Sequence, residues 1–300
     1  MKKIDLILKN QNAASIYLAN LAPSSRSTMG YALNKIARLL DYENYEQVPW
    51  HELRYAHTAA IRGILLDSGI APATINTSLV ALRGVLKECW RLGQIDAEAY
   101  QRAVDIKNVS GSPRRLGRAL SGEEIESVMR GCRLDQSNWG LRDAALFAVL
   151  RLGLRRDEVR KLNIYDIRED QLLYVQGKGR KNRLIPIPNG IYSYLMKWIK
   201  VRPEKNAPLF VKILRGHICN DKRLTNRGIT AIVEKRRKNA QVAHFTVHDW
   251  RRTCATELLE ANVDLLTVQG ILGHASPRTT AKYDKRDEKA RDTAIKLIDL

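Results

Sequence analysis

A short stretch near residue 110 constrains the fold of this chain most, because hydrophobic periodicity stops there and resumes in a different form. Between Asp105 and Leu120 the sequence is rich in glycine, serine and proline and carries several arginines, which is typical of an interdomain linker. We therefore predict two domains, residues 1–105 and residues 119–300, joined by a linker over residues 106–118. A chain of 300 residues is long enough for two cores of ordinary size.

The first predicted domain has the periodicity of helices throughout. Apolar residues recur at spacings of three and four in two long segments, which contain Met29, Leu33, Ile36 and Leu40 and then Ile75, Leu79, Leu82, Leu86 and Cys89. Pro72 is a start signal for the second of these helices, and a further helix is expected around Ile61 and Leu65. The pattern predicts a small helical bundle.

The second predicted domain is mainly helical with a small β-sheet. Ser121 and Glu124 form a capping box that is expected to open a helix. Two short apolar runs, residues 172–175 and 184–187, flank the basic segment 177–181 and predict a hairpin with a positive tip. Further helices are predicted over 191–201, 225–238, 247–262 and 264–272, with a last one starting at Ser276 and Pro277.

Charge narrows the class of partner. The chain carries a net charge of +19, from 51 basic and 32 acidic side chains. Residues 1–110 hold only 13 basic and 10 acidic side chains, so most of the excess lies in the second domain and predicts binding to a polyanion. The four cysteines form no CxxC pair and the apolar runs are too short to cross a bilayer, so we expect a cytoplasmic protein without a membrane partner.

Five motifs follow one another in the second domain and carry the chemistry. They are GLRRDE at 153–158, GKG at 177–179, HDWR at 248–251, LGH at 272–274, and Tyr283. Cleavage of a phosphodiester without a metal needs cations on the phosphate oxygens, a nucleophile and an acid for the leaving oxygen. These residue types supply all three.

Each role has a candidate side chain. Arg155 and Arg251 can hold phosphate oxygens, since a guanidinium keeps its charge and presents a planar fork of donors. His248 lies three residues before Arg251 and therefore on the same helix face. Tyr283 is the candidate nucleophile, and Lys178 at the hairpin tip is the candidate general acid.

Taken singly, these motifs are more typical of solvated helix faces, tight turns and structural histidines; their order and spacing together favour function. His217 and Cys219 lack further ligands, so no metal site is expected. Basic side chains in the linker, at the hairpin tip and in a later helix are predicted to contact DNA phosphates. They are Arg114, Arg115, Arg118, Arg180, Lys181, Lys235, Arg236 and Arg237.

The ordered set resembles the tyrosine recombinase (phage integrase) family, whose pattern is GLRxxE, GKG, HxxR, LGH and a tyrosine nine residues further on. The resemblance covers residues 115–290. It implies a helical, SAM-like core-binding domain over 1–105 and a mixed α/β catalytic domain after the linker. It places Glu158 in support of the catalytic positions, which are Arg155, Lys178, His248, Arg251, His274 and Tyr283. Arg252 stands where many members have histidine.

The compact two-domain layout is similar to Xer-like members. The resemblance implies a site-specific DNA recombinase that forms a 3′-phosphotyrosyl intermediate and a four-way junction, acts as a homotetramer on paired DNA sites, and needs no cofactor. Accessory proteins stay unknown. Two alternatives remain open, a type IB topoisomerase and a catalytically silent DNA-binding regulator of the same fold. The apolar tail, residues 293–300, is expected to dock on its own domain or on a neighbouring one.

Overall fold

The computed structural model describes residues 12–111, 117–177, 182–202, 208–214, 219–274, 276–281 and 283. The chain divides into two compact units, Met1–Leu116 and Gly117–Leu300. This division falls inside the predicted linker, 106–118; the roles assigned to the two domains stay predictions. The fold is mainly α-helical with small sheets, as the sequence indicates.

Unit 1 is a helical bundle. Its described helices are α1 (Ala13–Ala19), α2 (Pro23–Leu39), α3 (Tyr55–Asp67), α4 (Pro72–Arg91) and α5 (Ala97–Val104), with a 3₁₀ turn at Trp50–Glu52. Pro72 occupies the first position of α4, where its missing N–H costs no hydrogen bond. The predicted periodic positions Leu33, Ile36, Leu79 and Leu82 are fully buried in one core, so the predicted helices are confirmed.

Unit 2 contains most of the motifs. Its described elements are α6 (Gly122–Leu134), α7 (Asn138–Arg151), α8 (Arg156–Lys161), β1 (Leu172–Val175), β2 (Arg183–Pro186), α9 (Asn189–Val201), β3 (Val211–Ile213), β4 (Cys219–Arg223), α10 (Asn226–Asn239), α11 (Val247–Glu260), α12 (Leu265–Leu272) and α13 (Pro277–Ala281). A 3₁₀ turn lies at Ile164–Asp166. The predicted capping box opens α6, with Ser121 and Glu124 bonded reciprocally to each other's backbone N–H groups.

Two antiparallel strand pairs are present in the described part of unit 2. In the first pair Leu172 lies opposite Pro186 and Val175 opposite Arg183, which confirms the predicted hairpin and starts its second strand one residue earlier. The tip, residues 178–181, lies outside the described residues. The second pair, β3 with β4, was not predicted because β4 has the sequence CNDKR and lacks an apolar alternation.

The core of unit 2 orients the helix that carries the HDWR motif. Helix α7 is buried on all sides between α6, α9 and α11. Trp250 in α11 is 1% exposed and packs on Phe147 and Phe245, with ring centroids 5.1 and 6.1 Å away. This packing fixes the first turn of α11, and with it the directions of His248 and Arg251. Nowhere in the described residues is a helix long and apolar enough to cross a membrane.

Candidate active site

Arg155 and Glu158 form an ion pair at the start of α8. The Glu158 carboxylate accepts a hydrogen bond from the backbone N–H of Arg155 at 2.8 Å and another from its Nη1 at 2.8 Å. Arg155 Nη2 donates to the carbonyl of Gly273 at 2.8 Å. Glu158 is only 5% exposed, so the carboxylate holds the guanidinium from beneath while one face of Arg155 remains open. The supporting role of Glu158 stays a prediction, and these contacts place its carboxylate against Arg155.

Arg183 also pairs with Glu158, and the sequence analysis did not identify it as a site residue. It starts β2, and its Nη2 and Nη1 donate to the two oxygens of Glu158 at 3.0 and 3.3 Å. Burial raises the pKa of Glu158, but the hydrogen bonds from Arg183 and Arg155 outweigh it and hold the pKa below its ordinary value. The one signal in the sequence was an arginine at the start of an otherwise apolar strand.

Arg251 is completely buried and only partly partnered. Its Nη1 donates to the carbonyl of Gly153 at 2.7 Å. Its Nε and Nη2 have no hydrogen-bond partner among the described residues. Burial, followed by repulsion from Arg155, lowers the pKa of Arg251 to about 10, so the side chain stays charged at neutral pH. A buried guanidinium with two open donors is arranged to receive an anion.

Gly153 makes the anchor of Arg251 possible. Its φ is +75°, and a Cβ there would lie 2.5 Å from Cδ2 of Leu272. Both facts require glycine, because a residue with a Cβ would be strained in the left-handed backbone conformation and would clash with α12. The glycine of GLRRDE therefore turns the chain so that its carbonyl faces Arg251.

His248 and Tyr283 approach each other at the open side of the site. The Tyr283 hydroxyl lies 3.4 Å from His248 Nε2, at the long end of hydrogen-bonding range. Desolvation of the ring, followed by the charge of Arg251, lowers the pKa of His248 although the residue as a whole is exposed. The imidazole is thus neutral near pH 7 and can accept the phenolic proton. The Arg252 guanidinium lies 5.6 Å from the centre of the Tyr283 ring.

His274 lies beside Tyr283, the candidate nucleophile. It is 7% exposed, its Nδ1 lies 2.8 Å from the hydroxyl of Thr280, and its ring stacks on that of Tyr283 at 6.1 Å. Burial, followed by the charges of Arg251 and Arg155, lowers the pKa of His274 to about 4. When Thr280 donates to Nδ1, Nε2 carries the proton and can donate to a phosphate oxygen.

The structure brings together the predicted site residues that it describes, which are Arg155, Glu158, His248, Arg251, His274 and Tyr283. Lys178 lies outside the described residues, as do four of the predicted DNA contacts, Arg114, Arg115, Arg180 and Lys181. An open cleft of about 480 Å³ adjoins Arg155 and His248 and is bordered by the exposed Arg156. Arg156 was not among the predicted contacts.

The prediction that Arg236 contacts DNA is wrong. The side chain is 6% exposed, and its Nε and Nη2 donate to Asp143 at 2.7 Å and to Asp135 at 2.6 Å. Helical periodicity places position 236 on the same face of α10 as the buried Ile229 and Val233. Arg236 is therefore an internal ion-pair residue.

The other predicted contacts that the structure describes in unit 2 have partners within the protein. Arg237 donates twice to Glu234 and once to the carbonyl of Val242. Arg118 makes a two-point ion pair with Glu124. The remaining side chain, Lys235, is exposed and lies 5.7 Å from the Trp139 ring. DNA contact by Arg118, Lys235 and Arg237 stays a prediction.

The described residues contain no group of three or more side chains placed to hold a metal ion. Cys219 lies in β4. His217, the other side chain considered as a metal ligand, lies outside the described residues.

Comparison with known proteins identifies the family. Residues 118–290 match the phage integrase family. This chain belongs to that family. The phage integrase match spans unit 2 and includes every motif from GLRRDE to Tyr283.

Relatives of this family member include tyrosine recombinase XerC of Actinobacillus pleuropneumoniae serotype 7, 32% identical over 251 residues that cover 79% of this chain and 76% of the relative. XerC of Corynebacterium glutamicum is 30% identical over 226 residues, covering 74% and 70%. XerA of Pyrococcus horikoshii is 30% identical over 239 residues, covering 79% and 77%. The protein is thus a tyrosine-type site-specific DNA recombinase, and DNA is its partner.

Solved structures share the fold. XerH bound to palindromic difH, after cleavage, superposes with a TM-score of 0.69 at 23% identity, covering 92% of this chain and 80% of that one. The Tn1549 transposon integrase in complex with transposon right end DNA gives a TM-score of 0.73 at 17% identity, covering 97% and 99%. A lambda integrase tetramer bound to a Holliday junction gives a TM-score of 0.68 at 16% identity, covering 91% of this chain and 76% of that one.

Proposed function

We propose that this recombinase cleaves DNA by metal-free transesterification at a site built from Arg155, Lys178, His248, Arg251, His274 and Tyr283. One observation carries the proposal. The buried Arg251 keeps Nε and Nη2 without a partner among the described residues, and it lies close enough to the nucleophile candidate, Tyr283, for the two groups to interact electrostatically. A scissile phosphate placed there pairs with both donors and lies beside Tyr283.

The first chemical step forms one bond and breaks one. The Tyr283 oxygen attacks phosphorus and its proton passes to Nε2 of His248, which is neutral because its pKa is lowered. The bond from phosphorus to the 5′ oxygen breaks, leaving a 3′-phosphotyrosyl link. The leaving oxygen takes a proton from Lys178, a role that rests on the family resemblance. Attack by the 5′ hydroxyl of a partner strand reverses these transfers and needs no external energy source.

Charge develops on the nonbridging oxygens during this step. Arg251 supplies two fixed donors, Arg155 a third, and His274 a fourth through Nε2. These groups are held by the carbonyls of Gly153 and Gly273 and by Thr280, so little reorganisation is needed as the charge grows.

The assembly is part of the same proposal. The lambda integrase structure is a tetramer bound to a Holliday junction, and this chain shares its fold. We assign to this protein a homotetramer on two DNA sites that exchanges strands through a four-way junction, with unit 1 gripping the DNA. The proposed location is the cytoplasm, which suits its DNA substrate and its four free thiols.

The test uses a nicked DNA duplex whose short fragment diffuses away after cleavage, so that the covalent adduct accumulates. Tyr283→Phe should abolish the adduct while leaving the Kd for DNA nearly unchanged, because it removes only the nucleophilic oxygen. Tyr194→Phe is the matched control, since the Tyr194 hydroxyl also lies near a nitrogen of a basic side chain, Nη1 of Arg133 at 3.3 Å. An adduct formed by Tyr283→Phe at the wild-type rate excludes the assignment.

Two further substrates test the acid and the pairing of sites. With Lys178→Ala, a substrate carrying sulfur at the 5′ bridging position should be cleaved much better than the oxygen substrate, because a thiolate leaves without a proton. Equal defects on both substrates would assign Lys178 to binding alone.

Relaxation of supercoiled DNA from a single site, with no exchange between two sites, would favour a topoisomerase.

A further inference from the structure

We propose that Arg183 is a positioning residue for DNA cleavage: it fixes the Glu158 carboxylate, and through it the guanidinium of Arg155, against the scissile phosphate. The inference rests on the proposed role of Arg155 and adds a residue outside the five motifs. It rests on two contacts of Arg183, one with the Glu158 carboxylate and one with the turn before His274.

The first contact is a shared carboxylate. Oε1 of Glu158 accepts from Arg155 Nη1 at 2.8 Å and from Arg183 Nη1 at 3.3 Å. Oε2 accepts from the Arg155 backbone N–H at 2.8 Å and from Arg183 Nη2 at 3.0 Å. Each oxygen is therefore held from both sides. Without Arg183 the carboxylate would keep only the contacts to Arg155 and could rotate with it.

The second contact is with the turn that presents His274. Arg183 Nε donates to the carbonyl of Ile271 at 2.8 Å, and Arg155 Nη2 donates to that of Gly273 at 2.8 Å. Gly273 has a φ of +64°, and a Cβ there would lie 2.8 Å from Arg183 Nη1. The glycine of LGH thus leaves room for Arg183, which the family motif alone does not explain.

Charge adds a consequence that a purely structural arginine would lack. The charged groups facing Glu158 are Arg155 beside it, Arg183 from β2 and Arg251 from α11. Burial works to protonate Glu158, and the Arg183 hydrogen bonds are the largest influence opposing it. A protonated Glu158 would lose part of its hold on Arg155, so removal of Arg183 should make cleavage sensitive to acid.

The test compares Arg183→Gln and Arg183→Lys with Arg223→Gln in the full-length protein. Arg223 is the matched control, because its guanidinium, like that of Arg183, donates both to backbone carbonyl and to side-chain oxygens, here the carbonyls of Arg160 and Leu162 and Oδ1 of Asn163. At saturating nicked substrate, Arg183→Gln should slow adduct formation about 100-fold, the effect of a small misplacement of a catalytic group. The Kd for DNA should change little, and Arg183→Lys should restore part of the rate.

A pH profile supplies the second readout. In Arg183→Gln the lowering influence on the Glu158 pKa is lost while burial remains, so that pKa rises. The acidic limb of the cleavage rate should therefore move to higher pH than in the wild type. In a Glu158→Gln background the same Arg183 substitution should move the limb no further. Arg223→Gln should leave the limb where it is.

An unmoved acidic limb in Arg183→Gln, or a defect confined to Kd or to thermal unfolding and matched by Arg223→Gln, overturns the proposal. Should Arg183→Gln not fold, the same comparison is decided by Arg183→Lys, which keeps the charge and loses the two-point fork. The wild-type protein and Tyr283→Phe are measured in the same assay as controls. An adduct that requires Tyr283 and is indifferent to Arg183 would leave the proposed function standing and reject only this inference.

Discussion

Two arginines of unit 2 are buried to nearly the same degree, Arg236 at 6% exposure and Arg251 at 0%, and their partners differ. Arg236 in α10 is neutralised by Asp143 and Asp135. Among the described residues, Arg251 in α11 has one hydrogen-bond partner, the carbonyl of Gly153, and its Nε and Nη2 have none. Burial lowers the pKa of both, but the two carboxylates outweigh it and raise the pKa of Arg236, whereas that of Arg251 falls to about 10.

This difference distinguishes a buried charge that is compensated within the fold, that of Arg236, from one that is left available for a ligand, that of Arg251. A buried charge is tolerated when carboxylates compensate it, and is costly when they do not. The carboxylate whose charge acts on Arg251, Glu158, is already shared by Arg155 and Arg183. The site therefore keeps an excess of positive charge, which the phosphate of the proposed mechanism would compensate. Substitutions at the two positions should have opposite consequences.

The largest effect is expected at Arg236. Arg236→Met leaves the buried Asp143 paired with Arg142 and removes the ion pair of Asp135, and it should reduce the free energy of unfolding by about 3 kcal/mol, the lower end of the cost of breaking a buried pair. Urea denaturation measures it, with the neighbouring exposed Lys235→Met as the control. A loss no greater in Arg236→Met than in that control would remove the distinction drawn between the two arginines.

Arg251→Met should do the reverse. Cleavage should fall by about 100- to 1,000-fold, the usual effect of removing a donor to a transition-state oxyanion. The free energy of unfolding without DNA should stay the same or increase, since an uncompensated charge is removed. Adduct formation and urea denaturation of the same preparation give both values; destabilisation equal to that of Arg236→Met would contradict the prediction.

His274 should make stability depend on pH. Its pKa of about 4 lies below the ordinary value of 6.5, so the unfolded chain binds the proton more tightly. The free energy of unfolding should therefore fall as the pH drops from about 6.5 to 4, by about 3 kcal/mol from this group. His274→Gln should flatten that part of the profile, with exposed His244→Gln as the control. Identical profiles for His274→Gln and wild type would exclude the assignment.

Gly153 tests whether the anchor of Arg251 matters. Gly153→Ala forces a left-handed conformation on alanine and should cost about 1–3 kcal/mol of stability, and cleavage should fall as well because the carbonyl moves. Gly190→Ala in α9 is the matched control, because a Cβ there meets nothing within 4 Å. Retention of wild-type cleavage in Gly153→Ala would show that the anchor is dispensable.

The smallest effect is expected for phosphate contacts at the rim of the cleft. Arg156→Ala should weaken DNA binding and make the slope of log Kd against log salt shallower by about one. Arg236→Met should leave that slope unchanged, since its charge faces carboxylates. Lys235→Ala, measured in the same series, decides whether that exposed lysine contacts DNA. A slope change for Arg236→Met would reopen its role.

Much of the fold follows from local patterns. The periodic positions of α2 and α4, the Ser121 capping box and the β1–β2 hairpin were predictable, because a helix face, a cap and a tight hairpin are set by residues close in sequence. The pair β3–β4 was not, since its polar strand has no apolar alternation. It pairs through backbone hydrogen bonds that leave no mark on side-chain pattern.

The candidate site divides in the same way. The order of the motifs and the residue types in them already indicate arginines, histidines and a tyrosine acting on a phosphodiester. The sequence could not tell which arginine meets a carboxylate. Asp143 lies 93 residues from Arg236, and Gly153 lies 98 residues from Arg251.

By itself, then, the sequence determined the two-unit helical architecture and the set of candidate catalytic side chains. Only the tertiary structure decided that Arg236 is neutralised inside the fold, that Arg183 shares Glu158 with Arg155, and that Arg251 has two nitrogen atoms without a partner among the described residues. The physical reason is that the energy of a buried charge depends on the groups within a few ångströms of it, and packing brings those groups from distant parts of the chain.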